Sequence, residues 1–388
     1  MVIALKVKNF FSLRDDAVLD FTVDSSSRKN MDPLTENLID FNGDKFVNII
    51  GLFGGNAAGK SNIIKTMAFC RNLIINSHLS NEGDKFDFQP FKFEKDKPSE
   101  FYIDFVVDDV EYEYSFSIIE GKIMTESLYH YPNRRKAKVF VREAGNAYSY
   151  GKGLIPRPAE IEANTGSKTL FLSRASSMNR GIPQVVYNFF LHRVITEIDG
   201  FNLTDIARED FELCRPVLLK ALEVSDSDII DIRWDETVAG QMRLLSFHKE
   251  DPAIPFDFDK EESEGTKRLL FILMVLFKKQ YDGCTVFLDE FDLKLHLYLA
   301  EFILDAIRAT KNMQFIFTSH NPMLLNTNKL RPEQIVLVTK HTNGNSEFIP
   351  LSDYDGIERI PDLRAAYLQG RFDGVPYIGN IKSLISGI

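Results

Sequence analysis

The sequence lacks the features that mark several specialised classes of protein. Only three cysteines, Cys70, Cys214 and Cys284, occur among 388 residues, and their spacing is not that of metal ligands. A disulfide framework or a zinc site is therefore not expected, and this scarcity suits a reducing cytoplasm. The sequence also has no sustained heptad pattern, internal repeat or low-complexity tail. A long coiled coil is therefore not expected, and the chain has room for at most a short helical arm.

Long apolar runs are missing as well. The longest, residues 269–277, has about half of the roughly 20 residues that a membrane-spanning helix needs, so it predicts a buried helix. The N-terminal stretch "MVIALKVKNFF" places lysines inside its apolar residues, unlike a signal peptide, and predicts a strand. We therefore expect a cytoplasmic protein that does not use a membrane.

Positive charge is in deficit. The chain has 46 Lys and Arg against 56 Asp and Glu, a formal net charge of −10. The whole chain thus gives no reason to expect nucleic-acid binding, although a local basic groove is compatible with this charge. The most basic segment, "NRRKAKVFVR" at 133–142, is typical of a solvated hairpin turn or of a nucleic-acid contact, and the hairpin is favoured.

The segment "GGNAAGKSN", residues 54–62, fits the Gly-x4-Gly-Lys-Ser pattern of a phosphate-binding loop. An apolar strand, "DKFVNIIGLFG", precedes it, and the helical spacing of "SNIIKTMAFCRNLI" follows it, which disfavours an ordinary glycine-rich turn. Lys60 would reach the β- and γ-phosphates, and Ser61 would ligand Mg²⁺. The predicted nucleotide contacts are Gly54, Gly55, Asn56, Ala57, Ala58, Gly59, Lys60, Ser61 and Asn62.

Two further apolar strands end in chemically active residues. "GCTVFLDEFD", residues 283–292, is expected of a Walker B strand beside the phosphate-loop strand; Asp289 would hold Mg²⁺ through water and Glu290 would orient or deprotonate the attacking water. "MQFIFTSHNPMLL", residues 313–325, leads to His320 after a separation that allows one helix crossover. Ligands bind at the carboxyl ends of such strands, so His320 is predicted to act there rather than merely to start a helix.

A fourth element lies before the buried helix. "EESEGTKRLLFILMVLF" places Ser263, Gly265 and Thr266 at a helix N-terminus, where backbone amides and hydroxyls favour an anion. One bound nucleotide should not need two phosphate-binding helix ends. We therefore expect this turn to contact a nucleotide held by a neighbouring subunit.

Together the four elements resemble the ATP-binding-cassette (ABC) ATPases, in the branch that includes SMC proteins and OLD-type nucleases. The signature sequence of that branch is similar to Leu-Ser-Gly-Gly-Gln/Glu; here the segment is Glu262-Ser263-Glu264-Gly265-Thr266, so that Glu264 replaces the first glycine. "LKVKNFFSLRD", "PFKF" and "YLQGRFDGVPYI" also resemble the small ATPases called RloA or AbiL in prokaryotic phage-defence operons, to which the PARIS ATPase is related. The resemblance covers nearly the whole chain.

The resemblance implies an α/β fold of the ABC type, with a mixed sheet flanked by helices, an antiparallel β layer and a short helical insertion. The expected regions are residues 1–180 with the phosphate loop and antiparallel layer, residues 181–227 as the insertion, and residues 228–388 with the signature, Walker B and switch histidine. The alternating pattern of 99–119 predicts a hairpin of that layer. Gln89 would sense Mg²⁺ and the attacking water, or else is a surface-loop residue.

Two functions are compatible with these features. One is a Mg²⁺-dependent ATP hydrolase that dimerises or oligomerises around ATP and acts as sensor and scaffold for a separately encoded effector, with a phage component as trigger. The other is a DNA-repair or DNA-processing ATPase whose ATP-closed dimer clamps DNA, which the basic 133–142 segment would support. A nuclease within the chain is not expected, because the Asp226-x-Asp228 spacing in "SDSDIIDIRWDE" lacks an upstream carboxylate in a βαβ setting.

Overall fold

The computed structural model describes residues 1–23, 32–81, 83, 87–145, 147–196, 208–224, 227–236, 242–277, 283–310 and 313–372. The strands are β1 Val2–Lys8, β2 Ala17–Asp20, β3 Leu38–Phe41, β4 Asp44–Val47, β5 Ile49–Phe53, β6 Ser99–Val107, β7 Val110–Ile119, β8 Lys122–His130, β9 Ala137–Glu143, β10 Ala147–Tyr150, β11 Val194–Ile195, β12 Ile229–Glu236, β13 Met242–His248, β14 Pro255–Asp257, β15 Thr285–Leu288, β16 Gln314–Ser319, β17 Ile335–Lys340 and β18 Ser346–Pro350. The α-helices are α1 Lys60–Asn76, α2 Pro158–Ala163, α3 Phe171–Ser177, α4 Gly181–His192, α5 Arg208–Val224, α6 Phe258–Glu261, α7 Glu264–Phe277, α8 Leu297–Ala309 and α9 Leu363–Leu368.

A central sheet carries the predicted motifs. Its strand order is β11-β15-β16-β5-β17-β18, and all neighbours are parallel except β17 and β18. Every residue of β5, β15 and β16 is buried, as expected of parallel strands covered on both faces. Because the three strands are parallel, their carboxyl ends meet at one edge, directly before Gly54, Asp289 and His320.

Two details of the sequence interpretation are wrong. The Walker B strand β15 does not lie beside the phosphate-loop strand β5, because β16 pairs with both and lies between them. The segment "DKFVNIIGLFG" is two strands, β4 and β5, and they belong to different sheets. They separate at Asn48, whose amide donates to the Asn37 carbonyl while its own carbonyl accepts from Phe315 of β16. Strand order depends on how connections pack over the sheet, which local pattern does not encode.

An antiparallel sheet forms the second layer, in the order β10-β9-β8-β7-β6-β1-β2. The predicted hairpin is present: β6 and β7 join at Asp108 and Asp109, whose φ values of 48° and 59° suit a tight two-residue turn. Segment 133–142 forms the turn between β8 and β9 and most of β9, as the hairpin interpretation predicts; residues 133–136 are exposed, but Arg142 is buried and does not belong to a solvated turn.

The central sheet separates two hydrophobic cores. Ile50 and Leu52 of β5 face the core shared with α1 and the antiparallel sheet, whereas Ile49 and Phe53 face the core shared with α5, α7 and α8. This alternation follows from the two-residue period of a strand. The predicted α/β fold, a mixed sheet flanked by helices with an antiparallel β layer, is thus confirmed.

The helices of segment 181–227 pack in different places. Helix α4 contacts α1 and α3 and leads into β11, while α5 contacts α7 and β12. Strands β12, β13 and β14 form a small antiparallel sheet beside α5 and α6. Asp226 of the rejected nuclease spacing lies outside the described residues, as does the second half, residues 373–378, of the closing "YLQGRFDGVPYI".

Within the described ranges, no helix has both the length and the apolar character required to cross a membrane. Over the same residues, no group of three or more His, Cys, Asp or Glu side chains could hold a metal ion.

Candidate functional site

The loop between β5 and α1 is held close to neighbouring strands. A Cβ atom on Gly54 would lie 2.3 Å from the carbonyl oxygen of Val338 in β17. Gly59 has a left-handed φ of 105° at the start of α1, and a Cβ there would lie 2.1 Å from Ser346 Oγ and 2.8 Å from Ser12 Oγ. Both glycines are therefore required by close approach, and this approach shapes the loop.

Lys60 lies at the centre of this loop. Its side chain is only 4% exposed, and Nζ donates to the carbonyl oxygens of Gly54 at 2.9 Å and Gly55 at 3.0 Å. The same Nζ lies 3.1 Å from His320 Nδ1. Burial lowers the pKa of Lys60 to about 8, an effect that the charge of nearby Asp289 opposes. The loop thus encloses a cation where a phosphate group would bind.

A hydroxyl and a carboxylate meet beside the loop. Ser61 Oγ donates to Asp289 Oδ1 at 2.9 Å, and Thr318 Oγ1 donates to the same oxygen at 2.6 Å. Such hard oxygen donors fit Mg²⁺, which usually takes one or two protein ligands and completes its shell with water and phosphate. Ser61 and Asp289 are therefore the residues that could hold this ion.

Glu290 occupies a strained turn directly after Asp289. Its φ is +45°, a left-handed conformation that costs a non-glycine residue of order 1–3 kcal/mol. Its Oε1 lies 3.6 Å from His320 Nε2, beyond hydrogen-bond range, and the two side chains are 41% and 39% exposed. The turn thus presents a solvent-accessible carboxylate next to the imidazole.

Some residues of this edge were missed by the sequence interpretation. Thr318 is fully buried, and besides contacting Asp289 its Oγ1 accepts the Glu290 amide at 2.7 Å. Ser319 Oγ donates to Asp292 Oδ2 at 2.9 Å, and burial raises the pKa of Asp292. Thr318 and Ser319 are the last two residues of β16, directly before His320. Their position next to a predicted site residue is the signal that could have identified them.

Arg268 was missed too, and no local pattern marks it. From α7 its guanidinium donates to the carbonyl oxygens of Asp289 at 2.8 Å, Glu290 at 2.6 Å and Phe291 at 3.1 Å. These contacts depend on how α7 packs against the end of β15. Arg268 therefore connects the predicted signature helix to the Glu290 turn.

The predicted signature turn is exposed at the start of α7. Ser263 Oγ accepts the amide of Thr266 at 3.1 Å and lies 2.9 Å from its hydroxyl, so Ser263 caps the helix. A Cβ on Gly265 would lie 2.5 Å from the Lys294 carbonyl oxygen, which leaves room only for glycine. Glu264, at the departure from the family pattern, is exposed.

The residue before this turn is anchored. The buried carboxylate of Glu262 accepts hydrogen bonds from Ser246 and from His248 Nε2, the latter at 2.9 Å. His248 Nδ1 also lies 3.1 Å from Asp228 Oδ2. The start of α7 is thereby tied to β13 on one side and, through Arg268, to β15 on the other.

Gln89 lies in the loop before β6, which is separated in sequence from the ends of β5, β15 and β16. Its side chain is exposed, and its carbonyl oxygen accepts the Phe11 amide at 2.9 Å. With Ser12 and Asn62 it lines a groove at the first turn of α1, where Asn62 Nδ2 donates to Ser12 Oγ at 2.6 Å. Its role toward Mg²⁺ stays a prediction.

The structure brings most of the predicted residues to one place. Lys60, Ser61, Asp289, Glu290 and His320 lie together at the carboxyl edge of the central sheet. The signature turn is linked to the segment that follows Glu290 by Arg268, by the close approach of Gly265 to the Lys294 carbonyl and by the Glu264–Lys294 ion pair at 3.9 Å. The fold and the site define a phosphate-loop protein of the α/β class.

Residues 49–151 and 162–326, more than half of the chain, match the family described as "AAA domain, putative AbiEii toxin, Type IV TA system". The chain belongs to this family. Among curated proteins no match was found.

Similar solved structures include SMC head domains. An SMC head bound to the C-terminal winged-helix domain of ScpA is 16% identical, covers 90% of this chain and 97% of its own, and has a TM-score of 0.48. The SMC head domain from Thermotoga maritima is 15% identical in sequence; the match covers 90% of this chain and 98% of the SMC chain, with a TM-score of 0.45. A third similar structure is an SMC head with an extended coiled coil bound to the C-terminal domain of ScpA, from Pyrococcus furiosus. It is 14% identical in sequence; the match covers 90% of this chain and 95% of the SMC chain, with a TM-score of 0.45.

Proposed function

We propose that the protein binds and hydrolyses ATP with Mg²⁺ at an interface between subunits, and that this cycle controls a separately encoded effector in anti-phage defence. The observation that supports the proposal most is the meeting of Lys60, His320 and the Asp289-Glu290 pair at one sheet edge. A buried cation, a hydroxyl–carboxylate pair and an accessible carboxylate are the groups that phosphoryl transfer to water requires.

The phosphate loop, residues 54–62, would bind the β- and γ-phosphates. Its amides and the positive end of α1 favour anions, and Lys60 can exchange its bonds to the Gly54 and Gly55 carbonyls for bonds to phosphate oxygens. ATP rather than another nucleotide is proposed on the family resemblance.

Ser61 and Asp289 would hold Mg²⁺, and Gln89 is the third proposed contributor. Bound there, the ion would neutralise phosphate charge. The Glu290 carboxylate would orient the attacking water and accept its proton. His320 lies 3.1 Å from Lys60 Nζ and 3.6 Å from Glu290 Oε1. It would help to position the attacking water and would donate a hydrogen bond to the negative charge that develops on the γ-phosphate.

The working unit is proposed to be a dimer or higher oligomer. Ser263, Gly265 and Thr266 lie at an accessible helix N-terminus and would contact a nucleotide bound to the partner subunit. We also propose the division into an N-terminal region of residues 1–180, a helical insertion of residues 181–227 and a C-terminal region of residues 228–388. Each nucleotide site would then combine the N-terminal phosphate loop of one subunit with the C-terminal signature of another.

The defence role rests on resemblance to RloA, AbiL and the PARIS ATPase, and the protein is proposed to work in the cytoplasm. The description of the matching family names a putative toxin and a toxin–antitoxin system, which supports a role in such a system but does not name a separate effector. A phage component would be the trigger. Co-expression with the product of a neighbouring gene, with and without phage infection, tests this aspect by cell survival.

The alternative is a DNA clamp, and one feature favours it. Arg134, Arg135 and Lys136 are exposed in the turn between β8 and β9. Binding of duplex DNA across a salt series separates the two functions, because affinity from phosphate contacts falls steeply as salt rises. No affinity at low salt would exclude the clamp and leave the sensor.

Glu290→Gln tests the hydrolysis itself. The amide keeps the shape of the carboxylate but cannot take a proton, so ATP and Mg²⁺ should still bind while hydrolysis falls by roughly a hundredfold or more. The ATP-bound assembly should then accumulate in size-exclusion chromatography. Asp289→Asn should instead weaken the Mg²⁺-dependent component of nucleotide binding.

Glu120→Gln is the matched control. Glu120 is also exposed and left-handed, with a φ of 50°, but lies in the turn between β7 and β8. This variant should hydrolyse ATP as the unaltered protein does. Normal hydrolysis by Glu290→Gln would show that its carboxylate is structural.

A further inference from the structure

Arg268 makes an unusual set of contacts between α7 and the end of β15. Its guanidinium donates to the backbone carbonyl oxygens of the consecutive residues Asp289, Glu290 and Phe291, at 2.8, 2.6 and 3.1 Å. The side chain is half-buried, so these bonds are partly shielded from water. A charged donor therefore covers the carbonyl face of the turn that carries Glu290.

The amide face of the same turn is bound by β16. The Glu290 amide donates to Thr318 Oγ1 at 2.7 Å, and the Phe291 amide donates to the Thr318 carbonyl at 3.2 Å. The turn is thus held on opposite sides by Thr318 and Arg268. These bonds oppose relaxation of Glu290 from its φ of +45° to an ordinary backbone conformation.

Arg268 also lies one turn beyond the signature residues. Ser263 caps α7, and the following turn carries Arg268 on the same rigid helix. A shift of the helix start caused by a ligand would therefore move the guanidinium relative to the carbonyls that it binds.

We propose that Arg268 is a positioning residue: it holds the Glu290 turn in its left-handed form and couples the position of the signature turn to the carboxylate. This inference rests on the proposed ATP hydrolysis. Arginine suits this role because its planar guanidinium has five N–H donors and can span three adjacent carbonyl oxygens. A lysine ammonium has three donors on one compact nitrogen and cannot spread them in the same way.

The chain offers a matched control in the preceding residue. Lys267 is a cation on the same turn of α7, but its Nζ pairs with Glu264 at 3.1 Å and not with the strand end. Lys267→Gln removes the same charge from the same helix. Any effect of Arg268→Gln that Lys267→Gln lacks is due to the guanidinium at the end of β15 and not to the loss of a charge from α7.

Steady-state ATP hydrolysis provides the first measurement. Arg268→Gln should lower kcat by roughly tenfold to a hundredfold, as expected of a misplaced catalytic group, while KM and ATP binding stay near their original values. Arg268→Lys should fall between, and Lys267→Gln should match the unaltered protein. In a Glu290→Gln background, Arg268→Gln should cause no further loss, because its effect acts through that carboxylate.

Amide hydrogen exchange provides a second measurement that does not need hydrolysis. In Arg268→Gln and Arg268→Lys without nucleotide, the amides of Glu290, Phe291 and Leu293 should exchange faster, while those of α1 stay protected. Leu293 is included because its amide donates to the Glu290 carbonyl at 2.9 Å. If Arg268→Gln does not fold, both hydrolysis and hydrogen exchange are measured on Arg268→Lys instead.

The outcomes separate this inference from the proposed function. If the unaltered protein does not hydrolyse ATP, the proposed function fails, and hydrogen exchange alone decides whether Arg268 holds the turn. Unaltered kcat in Arg268→Gln, full additivity with Glu290→Gln, or unaltered exchange at the turn would each overturn the positioning role.

Discussion

At the scale of single residues, Lys60 combines burial with charge. Burial lowers its pKa from 10.5 to about 8, and only the surrounding carboxylates, Asp289 first among them, keep it from falling further. Its ammonium is therefore about half protonated near pH 8 and is fully charged only well below that pH. Bound phosphate would raise this pKa again, because an adjacent anion favours the charged form.

Nucleotide affinity should accordingly depend on alkaline pH. Well below pH 8 Lys60 already carries its proton, so affinity should not change through this group. As the pH rises through about 8, binding must increasingly take up a proton, and affinity should fall by up to about tenfold per pH unit. Titrations of a non-hydrolysable ATP analogue from pH 7 to 9.5 would measure the slope.

Lys60→Arg is the control for this slope, because a guanidinium keeps its charge throughout the range. The variant should bind with little dependence on pH, whatever its absolute affinity. A flat profile for the unaltered protein, or equal slopes for both, would contradict a titrating Lys60.

At the scale of elements, a buried carboxylate connects the antiparallel sheet to α3. Glu126 of β8 is 1% exposed and accepts hydrogen bonds from the Tyr114 hydroxyl at 2.8 Å and from the amides of Phe171 and Leu172 at 2.6 and 2.9 Å. Burial raises the pKa of Glu126, and the equally buried Arg142 opposes this shift. The first turn of α3 depends on this acceptor.

Glu126→Ala should therefore destabilise the fold. It removes the carboxylate that interacts with the charge of Arg142 and leaves the buried Tyr114 hydroxyl and the Phe171 and Leu172 amides without their acceptor, which should lower the free energy of unfolding by about 3–5 kcal/mol. Urea denaturation followed by circular dichroism would measure this. Glu143→Ala, at the exposed end of the neighbouring strand β9, should change stability by less than about 0.5 kcal/mol. Similar losses in both variants would argue against the anchoring role.

At the scale of the whole molecule, the phosphate loop and the signature turn lie at the N-termini of different helices, α1 and α7. The signature hydroxyls of Ser263 and Thr266 bond to each other at the surface. A symmetric pair of chains could complete each site with the signature of the other, since a two-fold interface is used twice.

Ser263→Arg should leave nucleotide binding to the single chain nearly unchanged but block ATP-dependent association and hydrolysis. Lys60→Ala should lose nucleotide binding while the fold persists, because the lysine serves phosphate charge.

In a mixture of the Ser263→Arg and Lys60→Ala variants, half of randomly formed dimers would contain one chain of each kind and therefore one intact composite site out of two. Hydrolysis should then recover to about a quarter of the original rate. No recovery, despite association of the mixed chains, would exclude a signature acting in trans.

Local sequence determined the groups available for chemistry. Lys60 and Ser61 follow from a loop pattern between strand and helix, and Asp289, Glu290 and His320 follow from apolar strands that end in polar residues. Such features depend on neighbours within a few positions, so a single sequence contains them. The hairpin at Asp108-Asp109 and the buried helix α7 were predictable for the same reason.

Tertiary structure decided the order of the strands and the support of the turn. The placement of β16 between β15 and β5 follows from the packing of connections over the sheet. It brings Thr318 to the amides of Glu290 and Phe291, while the packing of α7 brings Arg268 to their carbonyl oxygens. These partners are separated by more than twenty residues in the chain. Contacts over such distances arise only when distant elements bury a common core, which local pattern does not specify.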